Sequence, residues 1–415
     1  MKIAGGHRAL PPAGHAPALP LYAAPPIPAN PRPQPAHVRP KRAGQIARPH
    51  PPRRTTGARH PGKAPPIATA REPDDPPPRP PPHPRPPRPR DERRALVSRA
   101  ALPAGPGTSF AIGAPLPAPN RPAASAPAIL ALSGGGPDGA FGAGYLSGAM
   151  ANGMPPPDIV TGVSIGALIA PFALTGQHSE LEALFTSGAL TPLGAGLNPG
   201  AALLGGTLSD GRSLETLVAT WITDDLITRV AAAHRRGQRL YVATTDLDAM
   251  APVAWDITRL AARGTPESRA LIRRIIVASA SVPGVFPPVP LHHGETRLHV
   301  DGGVTLPVYI PDLPRGLPAR QTTVIINNAL GQDPPLARIS GLAAAQRGFS
   351  TLIRAQTRTL IENARLKSRA RFRVISLPED IPAAALQDFD IAKMRRAFAA
   401  GQRAAQLPPA RHAKN

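Results

Sequence analysis

The sequence predicts an α/β fold built on a mainly parallel sheet, and three observations predict it. Residues 127–133 (PAILALS) and 158–164 (DIVTGVS) are short apolar runs that stop at turn-forming residues, the pattern of buried strands. Each run leads into a stretch with helical composition, so the order is strand, glycine loop, helix, strand, sharp turn, helix. Strands that alternate with helices in this way pair in parallel through crossover connections.

The elements follow in order. GGGPDGAFGAGYLSGAMANG opens as a glycine loop and continues as a small-residue helix from about Ala140 to Gly153. IGALIAPFAL, after Ser164, reads as a second helix. Residues 177–235 are mostly helical, with SLETLVATWITDDLITRVAAAHRR as one long helix capped by Asp210 or Ser213. The side chains of this insert, AALLGG and WITDDLI included, either cover an apolar groove or fill the core, and core is favoured for most. RLYVATTDLDAM and PVAWDITRLA read as two strands joined by a turn. LIRRIIVASASV reads as a helix closed by Pro283, with His292 and His293 in an exposed turn beyond it. RLHVDGGV is a short strand ending in an acidic turn, and TTVIINNAL another buried strand. Residues 340–368 form a long basic helix, and FRVISLP a late strand.

Composition divides the 415 residues. Residues 1–125 hold 34 of the 58 prolines and 20 Lys and Arg against 5 Asp and Glu, so +15 of the +22 net charge lies there. Runs such as PDDPPPRPPPHPRPPRPR favour extended polyproline conformers, and too little apolar area is present to offset the entropy of ordering. The expected division is a disordered basic segment (1–125), one folded domain (126–405) and a polar tail (406–415). The chain has no cysteine, which excludes disulfides, thiolate metal sites, a cysteine nucleophile and a lipidated-cysteine anchor. No calcium-loop spacing occurs among the acidic residues, and no metal or cofactor is expected. No apolar run reaches the roughly 18 residues of a membrane span, and the N-terminus lacks an apolar signal core. A cytoplasmic or peripheral membrane location is therefore expected. The basic segment suits an anionic surface, but no aromatics interleave with its arginines, so nucleic acid is not expected as a partner.

Three motifs carry chemistry. The first is Gly162-Val163-Ser164-Ile165-Gly166 between a strand and a helix. A serine there sits on a tight turn with its hydroxyl exposed, Gly162 and Gly166 leave room for neighbouring backbone, and the helix N-terminus favours developing negative charge. The second is Ser133-Gly134-Gly135-Gly136-Pro137-Asp138-Gly139, whose backbone N–H groups can converge on a small anion such as a tetrahedral oxyanion. Gly134, Gly136 and Gly139 also fit a dinucleotide-binding fingerprint, which would make the protein an oxidoreductase. That reading wants an acid ending the second strand, and Asp158 lies at the strand's start instead. The third is Asp301-Gly302-Gly303 after RLHV, a carboxylate at a strand end that can take the Ser164 proton if the two face each other. An Asp-Gly turn alone is commonplace. A Ser-His-Asp arrangement is the alternative: after Asp301 only His412 remains, in a polar tail, so another order would use Asp246 or Asp256 with His292, His293 or His299, the last of which shares a strand face with Asp301. A third class of reading is an interaction protein whose Pro/Arg segment does the binding.

SGGGPDGAFG, GVSIG and DGG, in that order, resemble the patatin-like phospholipases. VATTDLDAMAPVAWDI and ASASVPGVFPPV between them look like the family's strand pair and proline turn. The resemblance covers about 127–330 and extends to about 405. It implies a three-layer α/β/α sandwich and a Ser164–Asp301 dyad without histidine. Gly134, Gly135, Gly136 and Gly139 would form the oxyanion hole, and the substrates would be phospholipids, lysophospholipids or neutral acyl glycerols. One departure is that the residues after Gly302 and Gly303 run Val304-Thr305-Leu306-Pro307, where family members often carry a polar residue such as Asn.

Overall fold

The computed structural model describes residues 107–112, 116, 126–195, 197–198, 206–313, 319–331, 341–368, 371–385 and 388–407. The expectations for 1–106 and for most of the C-terminal tail lie outside the described residues. So does most of the AALLGG stretch.

Among the described residues nine strands form one mixed sheet: β1 (Ser109–Ala111), β2 (Ala128–Leu132), β3 (Ile159–Val163), β4 (Arg239–Asp246), β5 (Ala251–Asp256), β6 (Val289–His293), β7 (Glu295–Asp301), β8 (Gln321–Ile326) and β9 (Arg371–Ser376). The main path runs β1-β5-β4-β3-β2-β8-β9. Its centre and one edge, β4-β3-β2-β8-β9, are parallel throughout, as the alternation predicts. β5 and β1 extend the other edge antiparallel.

The helices are α1 (Gly139–Ala151), α2 (Ile165–Thr175), α3 (His178–Thr186), α4 (Arg212–Trp221), α5 (Asp224–Arg235), α6 (Ile257–Ala261), α7 (Pro266–Ser279), α8 (Gly341–Lys367) and α9 (Ile391–Gln406). Alternate strand residues face opposite sides. Leu130, Val160 and Val242 join a large core with the buried faces of α1 to α7 and α9. Ile129, Val163 and Tyr241 join a smaller one with Leu306 and Tyr309, while Ala131 and Val324 meet Val308 and Ile361 of α8. Burial on both faces is why these strands read as continuous apolar runs.

Four details differ from the sequence reading. Ser109–Ala111, inside the stretch read as unable to fold, pairs with β5, and Leu116 nearby is buried. The long helix read across 213–236 is two helices. Thr223 breaks it, its Oγ1 accepting the Leu226 N–H at 3.1 Å, and Asp224 and Asp225 follow in the new first turn. His292 and His293 belong to β6 rather than to a turn. α9, unassigned from the sequence, buries Met394 and Phe398 in the large core.

Candidate active site

The sheet register brings two distant strand ends together. β3 pairs with β4 from Ile159↔Arg239 to Val163↔Ala243 and then stops. β7 takes over the same edge of β4 from the opposite direction, with Asp301↔Thr244, Val300↔Thr245 and His299↔Asp246. The residue after Val163 and the last residue of β7 therefore meet head to head. These are Ser164 and Asp301.

Ser164 sits on the predicted turn, at φ 55° and ψ −125°, a conformation costly for any residue with a side chain. Neighbouring backbone explains its glycines: a Cβ on Gly162 would lie 2.5 Å from the Gly166 carbonyl oxygen, and one on Gly166 would lie 2.6 Å from the carbonyl oxygens of Leu132 and Ser133. The Ser164 N–H is donated to Ser279 Oγ at 3.0 Å, and the Ser279 hydroxyl is donated to the Ala243 carbonyl at 2.7 Å.

Asp301 is buried. Its Oδ1 accepts the Gly303 N–H at 2.7 Å, while Oδ2 makes no hydrogen bond of ordinary geometry. Burial pushes its carboxyl up to about 6; the Ser164 hydroxyl and the Gly303 N–H act in the opposite direction and only partly offset the lost hydration. The hydroxyl is thus near enough to weigh on the carboxylate without a fully formed bond, and apo catalytic pairs are often long in this way. The Thr245 hydroxyl, donated to the Asp301 carbonyl at 2.9 Å and 2.8 Å from Thr305 Oγ1, holds the acid turn from below.

The glycine loop lies beside the serine. The Gly134 N–H is donated to the Pro307 carbonyl at 3.0 Å, and the Gly139 N–H turns back to the Gly136 and Pro137 carbonyls. The predicted set of four therefore divides. The N–H groups of Gly134 and Gly139 are spent on anchoring the loop, so Gly135 and Gly136 are the remaining candidates from that set for holding an anion. Gly136, at φ 55°, gives the loop its left-handed step. Asp138 is buried, its carboxylate accepting the Ala384 N–H at 3.1 Å, so it ties the loop to the segment before α9. Asn327, which the sequence did not flag, pins the loop's start: its N–H is donated to Ser133 Oγ at 2.9 Å and its Nδ2 to the Ser133 carbonyl at 2.7 Å.

Two chambers meet at Ser164. One is lined by Gly134, Gly135, Asp301 and Gly303, and by Ile353 and Arg354 of α8. The other is almost wholly apolar and runs from Ser164 and Gly136 between Leu168, Leu214, Leu217, Ile276 and Phe286. Leu214 and Leu217 belong to the helical insert, so those side chains are core and groove wall at once.

His299 is fully buried but lines neither chamber. Its Nδ1 lies 2.9 Å from Thr244 Oγ1, which also accepts the Trp255 indole N–H at 2.8 Å, and its ring packs edge-on against Trp255. Among the described residues no three metal-ligating side chains converge, and no helix is long and apolar enough to cross a membrane.

Residues 130–312 match the family model of the patatin-like phospholipases, which makes this stretch a patatin-like domain. The crystal structure of VipD from Legionella pneumophila aligns with 68% of this chain and 66% of its own, at 13% sequence identity and a TM-score of 0.40. No curated protein sequence matches the chain.

Proposed function

We propose, on the premise that residues 130–312 form a patatin-like domain, that the protein is a serine acyl hydrolase cleaving fatty-acyl esters of lipids through a Ser164–Asp301 dyad. The observation that carries this reading is the head-to-head meeting of β3 and β7 on β4, with both side chains lining one chamber.

Ser164 Oγ attacks the ester carbonyl carbon as Asp301 takes the hydroxyl proton. The carbonyl oxygen, now anionic, accepts the N–H groups of Gly135 and Gly136 of the glycine loop. The tetrahedral centre collapses, the ester C–O bond breaks, and the leaving alkoxide recovers the proton from Asp301. Water then attacks the acyl-enzyme and gives its proton to Asp301, and the departing serine oxygen takes that proton back. Burial of Asp301 suits the task, because a carboxyl with a pKa of about 6 is a stronger base than an exposed one yet is ionised at neutral pH. The apolar chamber takes the acyl chain and the chamber with Arg354 the alcohol side. The basic N-terminal segment suits an anionic membrane surface and a peripheral location.

The test is hydrolysis of p-nitrophenyl esters of graded chain length, with labelling by a fluorophosphonate, for the wild type and Ser164→Ala. Turnover and labelling are expected only in the wild type. A wild type that neither labels nor turns over any ester would end this reading and return the glycine loop to a dinucleotide.

A further inference from the structure

Among the described residues only two non-glycine residues have positive φ: Ser164 and Met250, the latter at 52°. The strain at Ser164 belongs to the nucleophile turn. Met250 has no such role. It is 82% exposed, at the tip of the turn joining β4 to β5, beside Leu247 at 40%. A glycine or asparagine is the ordinary occupant of a left-handed turn position, and a large apolar side chain is ordinarily kept from water. This position carries both costs.

The turn is built stiffly. Buried Asp246 accepts the N–H groups of Asp248 and Ala249 on Oδ1, at 2.9 and 3.0 Å, while Arg297 lies 3.3 Å from its Oδ2. The Leu247 N–H is donated to the Leu298 carbonyl of β7 at 2.9 Å. Strand polarity fixes where this tip stands. β2, β3, β4 and β8 run parallel, so the turn after β4 leaves the same end of the sheet as Ser164 after β3 and the glycine loop after β2. Leu352, another exposed leucine, lies on α8 between Phe349 and Ile353, which line the Ser164 chamber.

We propose that the Leu247–Met250 turn is an anchor that inserts into a lipid bilayer and sets the Ser164 end of the sheet against the membrane. The proposal rests on the lipid-ester reading above, since the substrate would then leave the bilayer beside the chambers that receive it. Methionine suits the role, being flexible and apolar enough to enter the disordered headgroup boundary. The drive is burial of apolar surface rather than charge.

The experiment uses the full chain with Ser164→Ala, so that no lipid is consumed, and measures co-sedimentation with phosphatidylcholine vesicles. These carry no net charge and offer nothing to the basic N-terminal segment. Met250→Gly is the central variant, because glycine accepts the same φ without strain and should not lower the melting temperature. Leu247→Ser joins it in a double variant. The partition coefficient is expected to fall roughly tenfold in the double variant and to be insensitive to salt in the parent. On the Ser164-containing chain, soluble p-nitrophenyl butyrate hydrolysis should be unchanged by Met250→Gly. Vesicle binding that is absent in the parent or undiminished in the double variant would overturn the proposal. So would self-association of the parent that the variant abolishes, or a parallel loss of soluble-ester turnover. If the wild type cleaves no ester while vesicle binding depends on Met250, the hydrolase reading fails and the anchor stands.

Discussion

The backbone N–H of Ser164 is held by the side chain of Ser279, 115 residues further along the chain, at 3.0 Å. Ser279 closes α7 and donates its hydroxyl hydrogen bond to the Ala243 carbonyl of β4, the residue paired with Val163. One hydroxyl thus ties the strained turn to β4, the strand on whose edge Asp301 of β7 pairs with Thr244. Ser279→Ala would leave a donor and an acceptor buried without partners, at about 1–3 kcal/mol each. The expected result is a lower melting temperature and a kcat reduced on the order of tenfold to hundredfold, from misplacement of the nucleophile. KM should change little, because Ser279 lines neither chamber. A variant with wild-type kcat and fluorophosphonate labelling rate would show that the turn holds itself.

The dyad reading separates three side chains. Ser164→Ala and Asp301→Asn are each expected to abolish ester cleavage, whereas His299→Gln should keep most of the turnover. His299 hydrogen-bonds Thr244 and packs on Trp255 inside the sheet's protein core, so its replacement should appear in the melting temperature. Turnover in His299→Gln as low as in Ser164→Ala would instead assign the base to the histidine.

Burial of Asp301 predicts both a pH profile and a stability trade-off. The proton acceptor must be ionised, so kcat/KM should rise with pH through about 6 and level off above it. The stability effect has the opposite sense. Between the ordinary value of 3.8 and about 6 the folded state keeps a proton that the unfolded chain has lost, so stability falls as pH rises across that window. Above it the buried charge costs about 3 kcal/mol. Asp301→Asn keeps an acceptor for Gly303 and removes the charge, so it should be more stable than the wild type at pH 7.5 and nearly equal at pH 4. Denaturant melts at the two pH values check this; equal differences at both would refute it.

What the sequence made legible was local. The strand before GVSIG, the helix after it and the Asp-Gly-Gly turn each carry their signal within a few residues, and Ser164, Asp301 and the glycine loop stand together as the three motifs predicted. The parallel centre of the sheet was readable for the same reason. The unread features are long-range. That β7 enters antiparallel on the edge vacated by β3 has no periodicity to betray it. Ser279 and Asn327 act through hydrogen bonds to Ser164 and Ser133, 115 and 194 residues away, and in sequence they look like any small polar residue. The division of the glycine loop, with Gly134 bonded to Pro307, depends on a segment where the sequence showed only a missing polar residue. β1 hid because three residues can join an existing edge without the apolar run a free-standing strand needs.

The apolar chamber sets the last expectation, a chain-length profile. An acyl chain entering from Ser164 passes Leu168 and Ile276 and meets Leu214 and Leu217 of α4, with no charged side chain among the lining residues. Each methylene buried there contributes about 0.8 kcal/mol, so kcat/KM on p-nitrophenyl esters should climb about fourfold per methylene while the chamber fills, and then flatten. Leu217→Phe narrows the chamber and should move the plateau to shorter chains; Leu217→Ala should move it to longer ones, with some loss of stability from the cavity. Short esters that do not reach Leu217 act as the internal control, because their rates should be the same in all three proteins. A profile that both substitutions leave in place would put the acyl chain in the other chamber, against Ile353 and Arg354.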